Sequence, residues 1–209
     1  MLRAEVTGKA EGARSVIRSV CVFCGSSAGR DPDYRAMSAR FGRALAESGR
    51  RLVFGGGKVG LMGVLADAVL EHGGEVIGVI PRHLVDLEVA HTRLSDLRIV
   101  DSMHQRKQMM ADLADGFVVL PGGVGTLEEF FEVWTWGQLG LHRKPYGLLN
   151  VASYFDPLLT FIDHAVQERF IPVEHRELLL VGEDPAVLLT ALDTHVVPAT
   201  PKWIDRTTT

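Results

Sequence analysis

Short β-branched apolar runs alternate along this chain with longer stretches in which apolar side chains recur every three or four residues. The first run, Val20-Cys21-Val22-Phe23-Cys24, ends in Gly25-Ser26-Ser27-Ala28-Gly29 and reads as a buried strand entering a loop. Over residues 31–48, Tyr34, Met37, Phe41 and Leu45 form the stripe of an amphipathic helix. The pattern continues with a strand at 52–54, a helix at 61–71 that stops at His72-Gly73-Gly74, and a strand at 76–80 halted by Pro81. A strand at 97–100 and a helix at 102–115 follow, then the run Phe117-Val118-Val119-Leu120. A helix at 126–138, a strand at 146–151, a helix at 154–168, a strand at 178–181 and a helix at 185–193 close the series. Strands that alternate with helices in this way imply a parallel sheet covered on both faces. The expected fold class is α/β: a single-domain, Rossmann-like, doubly wound parallel sheet over residues 19–195. The polar stretches 1–18 and 196–209 read as a flexible N-terminal extension and a flexible C-terminal tail.

In such a sheet, loops at the strand carboxyl ends gather on one edge, where open α/β sheets bind ligands. Three of those loops are glycine-rich here. After the run 117–120 comes Pro121-Gly122-Gly123-Val124-Gly125-Thr126-Leu127-Glu128-Glu129, which reads as a tight loop opening a helix. Unpaired N–H groups and the helix dipole make such a junction a phosphate site. Glu128 and Glu129 are expected in the first helical turn, and a carboxylate behind a phosphate cradle points to chemistry on the group that the phosphate carries. Gly55-x-Gly57-x-x-Gly60 has the dinucleotide spacing, but the next strand ends Ile80-Pro81-Arg82 without the ribose-binding acid. Lys58 is followed by Val59 rather than Ser or Thr, so the loop is not a phosphate loop of the nucleotide-triphosphatase type.

The 209 residues carry 22 Lys and Arg against 26 Asp and Glu, for a formal net charge of −4. That balance argues against a general nucleic-acid or anionic-membrane binder. No apolar run approaches the ~18 residues of a membrane span, and the expected location is the cytoplasm. Cys21 and Cys24 are formally a C-x-x-C, but on a strand positions three apart face opposite sides, so both read as buried free thiols. None of the histidines falls in a compact ligand set, and no metal is expected.

Taken together, Gly55-Gly56-Gly57-x-x-Gly60-Leu61-Met62-Gly63, Val79-Ile80-Pro81, Met103-His104-x-Arg106-Lys107 and Pro121-Gly122-Gly123-x-Gly125-Thr126-x-x-Glu129 resemble the "lonely guy" family. Its members are the cytokinin riboside 5′-monophosphate phosphoribohydrolases. Trp136-x-Gln138-Leu139-Gly140 and Lys144-Pro145 are similar to that family as well, and the resemblance spans residues 20–182. It implies hydrolysis of the N-glycosidic bond of AMP or an N6-modified AMP, giving free base and ribose 5-phosphate. It implies no cofactor, a nucleotide substrate, and a homodimer or higher homo-oligomer.

The resemblance assigns Arg106 and Glu129 as catalytic. It places Glu88, Lys107, Gly122, Gly123, Val124, Gly125, Thr126, Leu127 and Glu128 at the substrate. Gly25, Ser26, Gly56, Gly57 and Thr135 complete the expected site. Where many members carry Arg-Glu, this chain has Asp86-Leu87-Glu88. By residue chemistry alone a helix-face Arg is more often solvated than catalytic. Lys58 and Lys107 stand in phosphate-type surroundings, and nothing resembles the lysine of a pyridoxal-phosphate decarboxylase. The competing reading is a carrier of molybdenum cofactor or nucleotide from the same superfamily, which has little use for Glu129.

Overall fold

In the computed structural model, residues 16–85 and 90–197 are described. The expected tail from 198 onward, the extension up to residue 15 and Glu88 lie outside the described residues. Seven strands form one sheet: β1 (Ser19–Phe23), β2 (Arg51–Phe54), β3 (Val76–Pro81), β4 (Asp96–Val100), β5 (Gly116–Val119), β6 (Tyr146–Leu149) and β7 (Leu179–Gly182). Their order is β4-β3-β2-β1-β5-β6-β7, and every pairing is parallel. The chain winds outward from β1 to β4, then crosses back to lay β5 on the other side of β1. The switch point therefore falls between β1 and β5, where side chains from both halves can reach one ligand.

Helices cover both faces. On one side lie α1 (Pro32–Glu47), α2 (Gly60–Glu71) and α7 (Pro185–Thr194), packed on Val20, Val22, Leu52, Phe54 and Val118. On the other lie α3 (Met103–Leu113), α4 (Val124–Gln138) and α5 (Asp156–Gln167), packed on Cys21, Phe23, Val53, Phe117 and Val119. Alternate residues of each central strand thus enter different cores, which is why these runs are apolar throughout. The two cysteines obey the same rule. Cys21 packs with one core and Cys24 with the other, and both are buried free thiols.

The element pattern expected from hydrophobic periodicity is observed; the strand expected over 146–151 ends at Leu149, other bounds shift by a residue or two, and three further differences bear on the site. A short helix, α6 (Val173–Glu177), precedes β7 where the sequence pattern was silent. The helix expected from residue 154 begins at Asp156, with Phe155 as its N-cap, after a turn in which Ala152 and Ser153 take positive φ angles. The helix expected from residue 126 begins at Val124, with Gly123 as its N-cap. Glu128 and Glu129 consequently sit in the second turn, and no acid occupies the first. The helix dipole falls off within the first turn, so it acts little on either side chain. Gly125 had marked the stretch as loop by propensity, yet near a helix start glycine costs little and leaves the approach to the N–H groups open.

Candidate active site

The loops that follow β1, β2 and β5 pack on one another above the switch point. Gly25 N–H donates to Pro121 O at 3.0 Å, and Leu61 N–H donates to Gly25 O at 3.0 Å. A Cβ at Gly122 would overlap the Thr126 hydroxyl and sit 2.8 Å from Gly25 N, so only glycine lets these two loops touch. Gly60 has φ +59 and would press a Cβ into the Ser26 carbonyl, which closes the third loop onto the other two.

The N-terminus of α4 opens between them. Its first backbone bond runs from Leu127 N–H to Gly123 O at 3.1 Å, and Gly123 offers no side-chain cap. The N–H groups of Val124, Gly125 and Thr126 therefore have no intrahelical partner. Val124 is 85% exposed, and a Cβ on Gly123 or Gly125 would meet nothing within 4 Å. An anion can approach this backbone closely, where the exposed N–H groups and the helix dipole both attract it.

Beside it lies a cavity of ≈ 290 Å³ lined by Arg106, Glu129, Glu128, Thr126 and the glycine loop. Val22, Phe23, Met62, Leu84, Met103 and Met110 supply its apolar wall. A second cavity of ≈ 300 Å³, lined by Gly25, Ser26, Tyr34, Gly122 and Tyr154 among others, shares Ser26 and Gly123 with the first. A larger cavity, ≈ 680 Å³, lies at the opposite edge of the sheet, around Arg50, Arg51 and Asp115, where the strands begin. Residues with plausible chemistry converge on the smaller pair at the switch point.

Arg106 is not the solvated helix-face residue that composition favours. It is 4% exposed, with Nε donating to Val79 O at 3.1 Å and Nη2 to Gly55 O at 2.7 Å. The guanidinium thus ties the end of β3 to the loop after β2 and brings a permanent charge to the cavity wall. Glu129 faces the end of β1 closely enough to act on both thiols. Burial first, and then the Glu129 charge, push Cys21 and Cys24 well above the ordinary thiol range. Cys24 therefore lines the cavity as a neutral, unreactive wall.

Lys107 points elsewhere. Its Nζ donates to Glu128 Oε1 at 2.5 Å and Glu132 Oε1 at 3.0 Å, bridging α3 to α4. Burial lowers its pKa, but the bonds to Glu128 and Glu132, and their charges, raise it further, so the net shift is upward. Glu128 is exposed and belongs to that bridge as well as to the cavity rim. Among the other expected residues, Gly56 accepts a bond from His91 N–H at 2.9 Å and Gly57 pairs with Ala90. Both lie under the segment that follows Glu88, and the neighbouring Gly55 lines the cavity instead. Leu127 packs into the core below α4. Thr135, exposed in the second half of α4, donates its hydroxyl to Phe131 O at 2.6 Å, away from both cavities. Lys58 is exposed and lines neither.

The apolar wall went unread in the sequence. Met103 and Met110 share a helix face with Arg106, at spacings of three and four, and that periodicity could have found them. Met62 and Leu84 reach the cavity from other elements, and no local pattern announces them. Among the described residues, no group of three His, Cys, Asp or Glu is placed to hold a metal ion, and no helix is long and apolar enough to cross a membrane.

The chain is similar to known proteins over most of its length. A family model described as "Possible lysine decarboxylase" matches residues 62–192. A protein of Rhodococcoides fascians named cytokinin riboside 5′-monophosphate phosphoribohydrolase is 52% identical over 173 residues, covering 82% of this chain and 87% of that one. A protein of Arabidopsis thaliana with the same enzyme name is 47% identical over 183 residues, covering 88% and 84%. Among solved structures, the molybdenum cofactor carrier protein of Chlamydomonas reinhardtii superposes with a TM-score of 0.63 at 21% identity, over 83% of this chain and 94% of that one. The molybdenum cofactor binding protein of Rippkaea orientalis gives 0.65 at 18%, over 85% and 96%. At such identity those two likenesses show the fold alone.

Proposed function

We propose, since this chain belongs to the family of the cytokinin riboside 5′-monophosphate phosphoribohydrolases, that it hydrolyses the N-glycosidic bond of AMP or of an N6-substituted AMP. The observation that carries the reading is the convergence of Arg106, Glu129 and the open N-terminus of α4 on one cavity. The 5′-phosphate sits against the N–H groups of Val124, Gly125 and Thr126, with Gly25 and Ser26 closing the other side. The base lies against Met62, Met103 and Met110, whose flexible thioethers adapt to an apolar N6 substituent.

Cleavage passes through an oxocarbenium-like state at the anomeric carbon. The Glu129 carboxylate stabilises that positive charge and orients the attacking water. As the C1′–N9 bond breaks, its electron pair leaves with the base. The water oxygen bonds to C1′, and its released proton ends on the base. Arg106 supplies a fixed positive charge beside the departing base, where electron density accumulates. Phosphate binding far from the reacting bond holds the substrate in register. Apolar residues exposed along α4 and just beyond it, Val124, Phe131, Leu139 and Leu141, support pairing with a second copy of the chain. Two unpaired thiols suit a reducing cytosol.

The test is release of free base from AMP and from isopentenyl-AMP, with adenosine and isopentenyladenosine as controls. The expected result is rapid release from the monophosphates and slow release from the nucleosides. Equal rates on monophosphate and nucleoside would remove the phosphate anchor from the argument.

A further inference from the structure

The turn after β6 carries two consecutive non-glycine residues at positive φ, Ala152 at 47° and Ser153 at 58°. Such a pair persists only where the surroundings over-determine it. Here Asn150 does so from a buried position. Its Nδ2 donates to Asp156 Oδ1 at 2.7 Å, its Oδ1 accepts from Phe155 N–H at 2.8 Å, and its own N–H donates to Gly182 O at 2.7 Å. What the turn delivers is Tyr154. Its ring packs edge-on against Tyr34, at 5.5 Å between centroids, and its hydroxyl donates to Gly122 O at 2.5 Å.

That bond lands on a sensitive link. The Gly122–Gly123 peptide joins two residues without side chains, so no Cβ at either end limits its rotation. A trans peptide is planar, with its C=O and N–H on opposite sides. Holding Gly122 O toward Tyr154 therefore fixes Gly123 N–H on the opposite side of the peptide plane. Gly123 is also the N-cap of α4, and it lines both cavities.

We propose that Tyr154 is a positioning residue that orients the Gly122–Gly123 peptide for the 5′-phosphate, and that the strained turn exists to hold it there. This rests on the hydrolase reading above, and it concerns the phosphate end of the substrate rather than the bond that breaks. Tyr154→Phe deletes the hydroxyl and keeps the ring packing against Tyr34 and Phe155.

Titration calorimetry with ribose 5-phosphate and with adenine separates the two ends of the site without requiring turnover. For Tyr154→Phe, ribose 5-phosphate should bind about tenfold more weakly, the scale of one well-aligned hydrogen bond. Adenine should bind as it does to the wild type. KM for the monophosphate should rise by a similar factor with kcat within about twofold, since the interaction is equally present in ground and transition states. The melting temperature should fall by no more than about 1–6 °C, the scale of one lost hydrogen bond. Unaltered ribose 5-phosphate affinity overturns the proposal. So does an equal loss for both ligands with a larger fall in melting temperature, which marks a general packing role. A wild-type protein that binds neither ribose 5-phosphate nor the monophosphate sinks the hydrolase reading itself, and the positioning role with it.

Discussion

Gly55→Ala displaces Arg106 without touching its chemistry, and so tests the guanidinium's placement. The glycine's φ lies outside the left-handed region, so alanine meets no backbone strain there. The new Cβ would instead overlap Arg106 Nη2 and lie 3.1 Å from Cζ. To regain the 3.4 Å of ordinary contact the nitrogen must move by about 1 Å, a misplacement that costs on the order of 10²-fold in rate when the group serves the transition state. A planar guanidinium cannot make that move and keep both the 2.7 Å bond to Gly55 O and the 3.1 Å bond to Val79 O. Losing one such charged bond costs about 1.5–3 kcal/mol, against a gain of roughly 0.4–1 kcal/mol from the stiffer unfolded chain. The net loss of about 0.5–2.6 kcal/mol should lower the melting temperature by roughly 1–10 °C for a chain of this length. Steady-state release of base from the monophosphate, with a thermal melt on the same preparation, measures both. A variant within threefold of wild-type kcat/KM and with an unshifted melt would refute the claim that Arg106 must stand where its two carbonyl bonds hold it.

Glu129→Gln should abolish turnover while leaving monophosphate binding within a few fold, because the amide keeps the shape and loses the charge. Glu128→Gln should be milder, and comparable activity in the two variants would reduce Glu129 to a helix residue. Arg106→Lys should fail nearly as badly as Arg106→Ala, since an ammonium cannot bond Val79 O and Gly55 O together as the planar fork does; full rescue by lysine would refute this. Lys107→Met should destabilise the protein in a pH-dependent way. The folded pKa of Lys107 is raised above its ordinary value of 10.5, so its contribution is whole below that value and is lost as pH rises through the folded pKa. Melting curves of wild type and variant should differ by a constant amount near neutrality and converge as pH rises through the folded pKa; a gap that stays constant into strong alkali would show that the charge of Lys107 contributes nothing.

Much of this protein is set by local chemistry that a linear sequence displays. Period-two and period-3.6 hydrophobicity marks nearly every strand and helix, since burial on one or both faces is what each element needs to be stable. The glycines at 55–57, 60, 122, 123 and 125 announce close backbone approach, and the spacing of Cys21 and Cys24 already places their thiols in different cores. The Pro121–Glu129 motif announces a tight loop that opens a helix with an acid behind it. Tertiary structure decided the rest, because those properties depend on partners far away in the chain. Strand order puts the switch point between β1 and β5, and so selects which glycine loops meet. The carbonyls of Val79 and Gly55 make Arg106 a buried residue, which nothing within its own helix requires. Glu128 and Glu132 draw Lys107 onto α4 although it is the next residue along α3. Thr135 matches the expected site by position, yet its hydroxyl is spent on its own helix. Tyr154 reaches Gly122 across 32 residues of sequence, from a strained turn whose conformation no propensity favours. A periodic pattern records how each segment meets solvent and core; the direction in which a charged side chain turns is settled only when its acceptors arrive.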